Sequence, residues 1–181
     1  RLDPVRLAGP ILENLCEEIQ ETVALAVWGN RGATIVRIVD AGGPITITLR
    51  AGTVLPLCKS ATGRAFAAFF RSPFLKQMLD DELRDLSTSG KMSVTTVRRQ
   101  FEKTLTEIRQ QGISRATGSL PPGINGFSAP VFDHTGRMVA AITSLGSVGE
   151  FNVEWDSALA KAMRVAADNL SRRLGHGSTE G

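Results

Sequence analysis

The sequence predicts an α+β domain, an antiparallel sheet of five or six strands with helices on its faces. Three observations predict it. Short apolar runs of strand length are joined by links too tight for parallel crossovers. Amphipathic segments of helical period stand at both ends and in the middle of the chain. With 181 residues, 42% hydrophobic and 22% charged, the chain has the size and composition of one globular domain.

The elements follow in order. Asp3 and Pro4 open a first helix as N-cap and first helical residue. Leu7, Ile11, Leu15 and Ile19 recur every four residues, Leu12 and Cys16 widen the stripe, and Glu13, Glu17 and Glu18 take the wet side. TVALAVW, from Thr22 to Trp28, is of strand length, and Gly29-Asn30-Arg31-Gly32 is a hairpin turn. Thr34 to Asp40 returns, Ala41-Gly42-Gly43-Pro44 breaks the chain, and Ile45 to Leu49 alternates as a third strand with Ile47 on its apolar face.

LPLCKSATGRAFAAFF, from Leu55 to Phe70, is the centre of the chain. Ser60 is a good N-cap, and Ala61, Thr62 and Gly63 are too small to cover the first-turn amides. Those amides lack helical partners and carry the positive end of the helix dipole, so an anionic or carbonyl oxygen can approach them. A plain reading stands beside this one: small residues also let a helix sit tightly on a sheet. Arg64, on the same helix, either caps charge at the surface or reaches toward a bound ligand, and the surface reading is preferred.

A polar, helical middle follows. Ser72-Pro73 starts one helix, and Ser93 caps a longer one through Gln110, ended by Gly112. Arg115 to Gly123 is interrupted by Gly and Pro throughout and reads as an irregular loop. Ile124 to Phe132 is a strand, with Pro130 tolerable near an edge or bulge. Asp133-His134-Thr135-Gly136 turns the chain, and Arg137 to Leu145 pairs back. Gly146 to Asn152 is a loop, and a final helix from Asn152 or Val153 carries Trp155, Leu159, Met163, Ala166 and Leu170. The first and last helices are expected on one side of the sheet, and the middle helices with the Ala116–Gly123 loop on the other. A domain over 1–175 and a disordered tail over 176–181 are expected.

Several function classes are disfavoured. The net charge is +3, and 16 Arg and 5 Lys are scattered among acids, which does not suggest a polyanion surface. Cys16 and Cys58 make no disulfide framework. No apolar run reaches the ~18 residues that span a bilayer, and no signal peptide is visible, so a cytoplasmic protein without a membrane partner is expected. No cofactor motif, phosphate loop or metal-ligand spacing occurs, and Cys58 with His134 has no spacing to recommend it as a metal pair. Cys58, beside Lys59 and just before the Ser60 cap, would be the nucleophile of an enzyme. Its possible bases, His134 in a turn and His176 in the tail, are poorly placed. A non-enzyme is therefore expected.

Three stretches carry a family resemblance. ETVALAVW follows the entry helix, LPLCKSATGRAFAAF matches a small-residue Gly-Lys/Arg-Ala helix start, and GINGFSAPVFDHTGRMVAAITSLG is similar to an "iAaPVfd…G…vaaisvsG" hairpin. In this order they resemble the C-terminal effector-binding domain of IclR-type bacterial transcriptional regulators, over about Leu7 to Leu174. The resemblance implies a GAF-like or profilin-like sheet and a ligand-sensing domain of a transcriptional regulator. It also implies an upstream winged helix-turn-helix domain, which the few residues before Leu7 do not hold. DNA would then be met only through that domain, in a homodimer or homotetramer.

By the same resemblance, a small-molecule effector, an organic acid or aromatic compound, is held by backbone amides of Ala61 and Thr62, between Ser60 and Gly63. Ile47, Leu55 and Ile124 supply apolar walls. An acidic residue and a cysteine of the family pattern fall on Ala116 and Gly126, which would enlarge the pocket. Ser119, Phe127, Ser128 and Thr143 become candidate new contacts. A dimerisation module that binds no ligand is the remaining rival.

Overall fold

The computed structural model of the chain describes residues 2–42, 49–119 and 122–178. A six-stranded antiparallel sheet is sandwiched between two helical layers. Its strands are β1 (Thr22–Gly29), β2 (Gly32–Val39), β3 (Val54–Leu55), β4 (Ser114–Ser119), β5 (Pro122–Phe132) and β6 (Met138–Ser147), in the order β3-β2-β1-β6-β5-β4. The helices are α1 (Pro4–Ile19), α2 (Ala61–Phe69), α3 (Pro73–Gly90), α4 (Val94–Gln111) and α5 (Ala158–Arg173). The predicted α+β class and antiparallel sheet are both present.

Caps set the helix ends as the sequence implies. The side chains of Asp3, Ser60, Ser72 and Ser93 each accept a first-turn amide. Gly112 closes α4 at φ 68°, a left-handed position that glycine occupies without a Cβ penalty.

Strand alternation sends side chains to two cores. On one face Leu12 and Leu15 of α1 and Met163 and Leu170 of α5 pack on Val23, Leu25, Phe127 and Ile142. On the other, Phe66 of α2, Leu83 of α3, and Leu105 and Ile108 of α4 cover Ala24, Ala26, Ile35 and Ala141. The expected division of helices between the faces is therefore observed. Alanines on the strands of the second face let helices approach closely, and α2, the end of β1 and α4 bring aromatics to it. Phe66, Phe70 and Trp28 meet there with ring centroids 5.2 to 5.7 Å apart, an arrangement that adds to their area burial.

Three expectations change, and a fourth lies outside the described residues. Ile45 to Leu49 was expected as the third strand; residues 43–48 lie outside the described residues, and Val54–Leu55 holds the sheet edge beside Ala33 and Thr34. The stretch after Arg115 is not an irregular loop over a face. Ser114 to Thr117 pair with Ser128 to Asn125 as an edge strand. The glycine that argued against a strand, Gly118 at φ 62°, sits in the register shift between Thr117 and Ser119, where a bulge needs it.

The last helix begins later than expected. Asn152 accepts the Glu154 amide at 2.9 Å in a turn, Ser157 caps Ala160 at 3.1 Å, and Trp155 lies before the helix. The expected tail from His176 is placed through Ser178. The His176 ring stacks on Phe132 at 5.3 Å, and its Nδ1 lies 3.0 Å from the Asp133 carbonyl. Residues 179–181 are outside the described set. Pro130 behaves as expected, since it lies past the end of β4, where β5 has a neighbour on one side only.

Phe66 is fully buried at the centre of the second core. Its replacement by Ala is expected to cost about 3–5 kcal/mol. Urea denaturation followed by Trp28 fluorescence reads this as a lowered midpoint.

Candidate functional site

The site is built on the chain that enters α2. Pro56 to Lys59 turn back across the helix start, and Ser60 ties the crossing from both sides. Its Oγ accepts the Gly63 amide at 2.8 Å and donates to the Pro56 carbonyl at 2.7 Å. The crossing is so close that a Cβ on Gly63 would lie 1.9 Å from the Pro56 oxygen and 2.6 Å from Leu57 Cα. Gly63 is therefore required by backbone packing, not by its dihedral angles.

Glu82, one side chain from α3, closes the same crossing. Its two carboxylate oxygens accept the amides of Leu57 at 2.9 Å and Cys58 at 3.1 Å. Arg64 completes it from within α2. Nε donates to the Cys58 carbonyl at 2.8 Å and Nη1 to the Arg115 carbonyl at 3.0 Å. The surface role expected for Arg64 is thus replaced by a half-buried strut between the α2 entry and edge strand β4. Burial pulls its pKa below the usual arginine value.

The first turn of α2 lies on β5 and β6. Thr62 Oγ1 is 2.7 Å from Thr143 Oγ1, which donates to Ser128 Oγ at 2.9 Å. Because Thr143 spends its proton on Ser128, Thr62 is the donor in the first bond. All three side chains are at most 1% exposed. Ser114, opposite Ser128 across β4 and β5, adds a fully buried hydroxyl with no partner among the described residues. A polar row thus runs beneath the helix in an otherwise apolar layer. Among the described residues, no acceptor lies within hydrogen-bonding reach of the Ala61 or Thr62 amide.

The structure brings Ser60, Ala61, Thr62, Gly63, Ser128 and Thr143 together. Ala116 and Gly126 are cross-strand partners in the same wall, and a Cβ on Gly126 would sit 3.6 Å from Ala61 Cβ. The same Cβ would lie 2.7 Å from Leu145 Cδ2, so the Leu145 side chain crowds the space that the small residue was expected to open. Ile124 is half-buried further along β5. Ser119 pairs with Pro122 at the far end of β4. Leu55, half-buried on β3, belongs to the opposite sheet edge from Ala116. Ile47 is outside the described residues.

Phe127 is separated from this group. Its side chain alternates to the other face, where it meets Phe151 at 5.6 Å and Trp155 at 6.4 Å. The period of two places it opposite to Gly126 and Ser128, a signal already available in the strand pattern. Glu82 and Ser114 escaped the sequence reading, and Arg64 was read there chiefly as a surface group. Glu82 and Arg64 act on backbone far away in sequence, and nothing local marks such partners.

Cys58 is not poised as a nucleophile. Burial first, then the charge and hydrogen bond of Glu82, push its thiol up to about 12, outweighing Arg64 and Lys59. Cys16 is also raised, by burial and then Asp40. Among the described residues, no group of three His, Cys, Asp or Glu side chains is arranged to hold a metal ion. No helix among them is long and apolar enough to cross a membrane.

Comparison with known proteins decides the family. The profile described as "Bacterial transcriptional regulator IclR C-terminal" matches residues 1–172. The chain belongs to the IclR C-terminal family. The crystal structure of Pseudomonas aeruginosa HmgR is similar at 33% identity and a TM-score of 0.86, covering 98% of this chain and 69% of that one. The C-terminal domain of Escherichia coli KdgR shows the same fold, with a TM-score of 0.76 at 21% identity, over 97% of this chain and 100% of that one. Among curated proteins, the transcriptional regulator KipR of Bacillus subtilis is 25% identical over 97% of this chain and 69% of its own length. The E. coli regulator RhmR is 25% identical over 97% of this chain, which spans 66% of that protein. These IclR-family relatives are transcriptional regulators, which fits a non-enzyme.

Two outcomes test this geometry. Gly63→Ala is expected to cost more than about 3 kcal/mol, because backbone and not a flexible side chain opposes the new methyl; a urea series measures it. The second concerns pH. The folded state holds the Cys58 proton more tightly than the unfolded chain does. The associated stability is complete below the ordinary thiol range and declines as pH rises toward 12. Glu82→Gln removes the second cause, so thiolate absorbance in that variant should titrate at lower pH, still above an ordinary cysteine.

Proposed function

We propose that this IclR-family domain is the effector-sensing part of a bacterial transcriptional regulator. An organic acid or aromatic compound docks its polar end on the first turn of α2. Support comes from one observation above the rest: the Ala61 and Thr62 amides have no acceptor among the described residues, in the wall that also carries Ala116 and Gly126. Amides at a helix start favour negative charge through both hydrogen bonding and the dipole. The hydroxyl row of Thr62, Thr143 and Ser128 offers a second polar contact, and Ser114 extends it.

In this reading the domain itself does not bind operator DNA. An upstream winged helix-turn-helix domain does, in a cytoplasmic homodimer or homotetramer. The effector acts by binding two arrangements of the domain with different affinity, a coupling of about 1–3 kcal/mol in regulators of this kind. The site residues are close-packed here, Thr62 and Thr143 being 1% exposed, so binding requires α2 or Leu145 to shift.

Ala61→Pro tests the reading at one atom. Ala61 is the first helical residue, where proline is tolerated, and Ser60 before it is already extended at φ −105°, ψ 148°. The variant deletes one unpartnered N–H and keeps the helix. Thermal shift against a panel of aliphatic and aromatic carboxylates should give a hit for the parent chain. Affinity for that hit should fall about tenfold in the variant, the value of one charge-assisted hydrogen bond. Equal affinity in both chains would remove the α2 amides from the mechanism.

A further inference from the structure

Arg64 presents a feature that the first-turn site does not use. A guanidinium carries five N–H donors, and the two hydrogen bonds described engage one at Nε and one at Nη1. Both acceptors are backbone carbonyls. Among the described residues, no carboxylate lies within 4.0 Å of this half-buried cation. Glu82, the nearby acid of α3, is committed to the amides of Leu57 and Cys58. Desolvated cations are ordinarily matched by an anion, and this one is matched only by dipoles.

Arg64 lines a cleft of about 340 Å³ between the α2 entry, α3 and α4. Lys59 lines it as a second cation, exposed and without an ion pair among the described residues. Leu86, Val97 and Phe101 make an apolar wall, and Gln100 and Thr104 supply polar groups at the α4 side. The volume lies at the lower end of ligand pockets, and its lining is the common mixture of apolar surface and a few polar groups. The cleft does not include Ala61, Thr62, Ser128 or Thr143.

We infer that this cleft is a second binding site, for a small carboxylate with an apolar body. The carboxylate takes the unused donors of Arg64 together with Lys59, and the apolar body lies on Leu86, Val97 and Phe101. An arginine fork suits the two oxygens of a carboxylate, and Lys59 adds charge without fixed geometry. The site is separate from the α2 first turn, yet mechanically tied to it. Arg64 is three residues from Ala61 on the same helix, and its Nη1 holds the carbonyl of Arg115, the neighbour of the wall residue Ala116. A ligand bound here fixes the strut between α2 and β4, so the second site modulates the first.

Benzoate is the probe, with benzamide as its uncharged counterpart, added to the 181-residue chain and followed by amide chemical shifts. Benzoate at millimolar concentration should move the amides of Lys59, Gln100, Phe101 and Thr104, and benzamide should not. Lys59→Gln, at an exposed position, should keep the parent's melting temperature and bind benzoate about tenfold more weakly, the worth of one charged contact. Gln100→Trp should block the cleft while leaving any response of the α2 first turn in place. Shifts confined to Ala61, Thr62 and Ser128 would overturn the inference while supporting the first-turn site. Equal response to benzamide, unchanged affinity in Lys59→Gln, or no response at all would overturn it as well.

Discussion

The close crossing of the Pro56–Leu57 backbone over the first turn of α2 is the constraint from which the rest of the site follows. At this spot a carbonyl oxygen occupies the space of a methyl group, and only glycine at position 63 allows it. The crossing turns α2 so that Thr62 faces β6 and Phe66 faces the core between β1 and α4. It is held by side chains from three directions: Ser60 from the cap, Glu82 from α3 and Arg64 from α2 itself. Each bond is worth about 1 kcal/mol net, more for the charged ones, so the assembly is a stiff joint and not a loose loop.

This joint connects parts that would otherwise be independent. Glu82 ties the α3–α4 layer to the α2 entry, and Arg64 ties that entry to edge strand β4. The sheet edge carrying Ala116 and the helix start carrying Ala61 and Thr62 are therefore linked through Arg64. The sensing function proposed above needs such a connection, because a ligand shifts a conformational equilibrium only through contacts that differ between the two states. The thiol of Cys58 is part of the same joint. Its proton is held by burial and by Glu82, which makes it a structural group despite its place beside a lysine and a helix start.

Legibility followed sequence distance. Capped helices and the β1–β2 and β5–β6 hairpins rest on residues within a few positions of one another, and each was readable. Edge strand β4 was not, because its glycine marks a bulge only when a partner strand is known. The start of α5 was misplaced because Asn152 makes a turn that competes with a cap. At the site, Ala61, Thr62, Ser128 and Thr143 were named from the chain and converge. Phe127 was named with them, although the alternation of β5 sends it to the opposite core.

The sequence by itself determined the α+β class and the helix start at Ser60, since caps, turns and periodicities are short-range properties of the chain, and three motif stretches carried the family resemblance. Tertiary structure alone decided that Gly63 is needed for a backbone crossing, that Arg64 is a strut and not a surface charge, and that Glu82 and Ser114 belong to the same neighbourhood. Those decisions involve groups 6 to 51 residues apart, brought together by packing of helices on a sheet. No local pattern encodes such pairs, because the energy that selects them comes from burying both faces of the sheet at once.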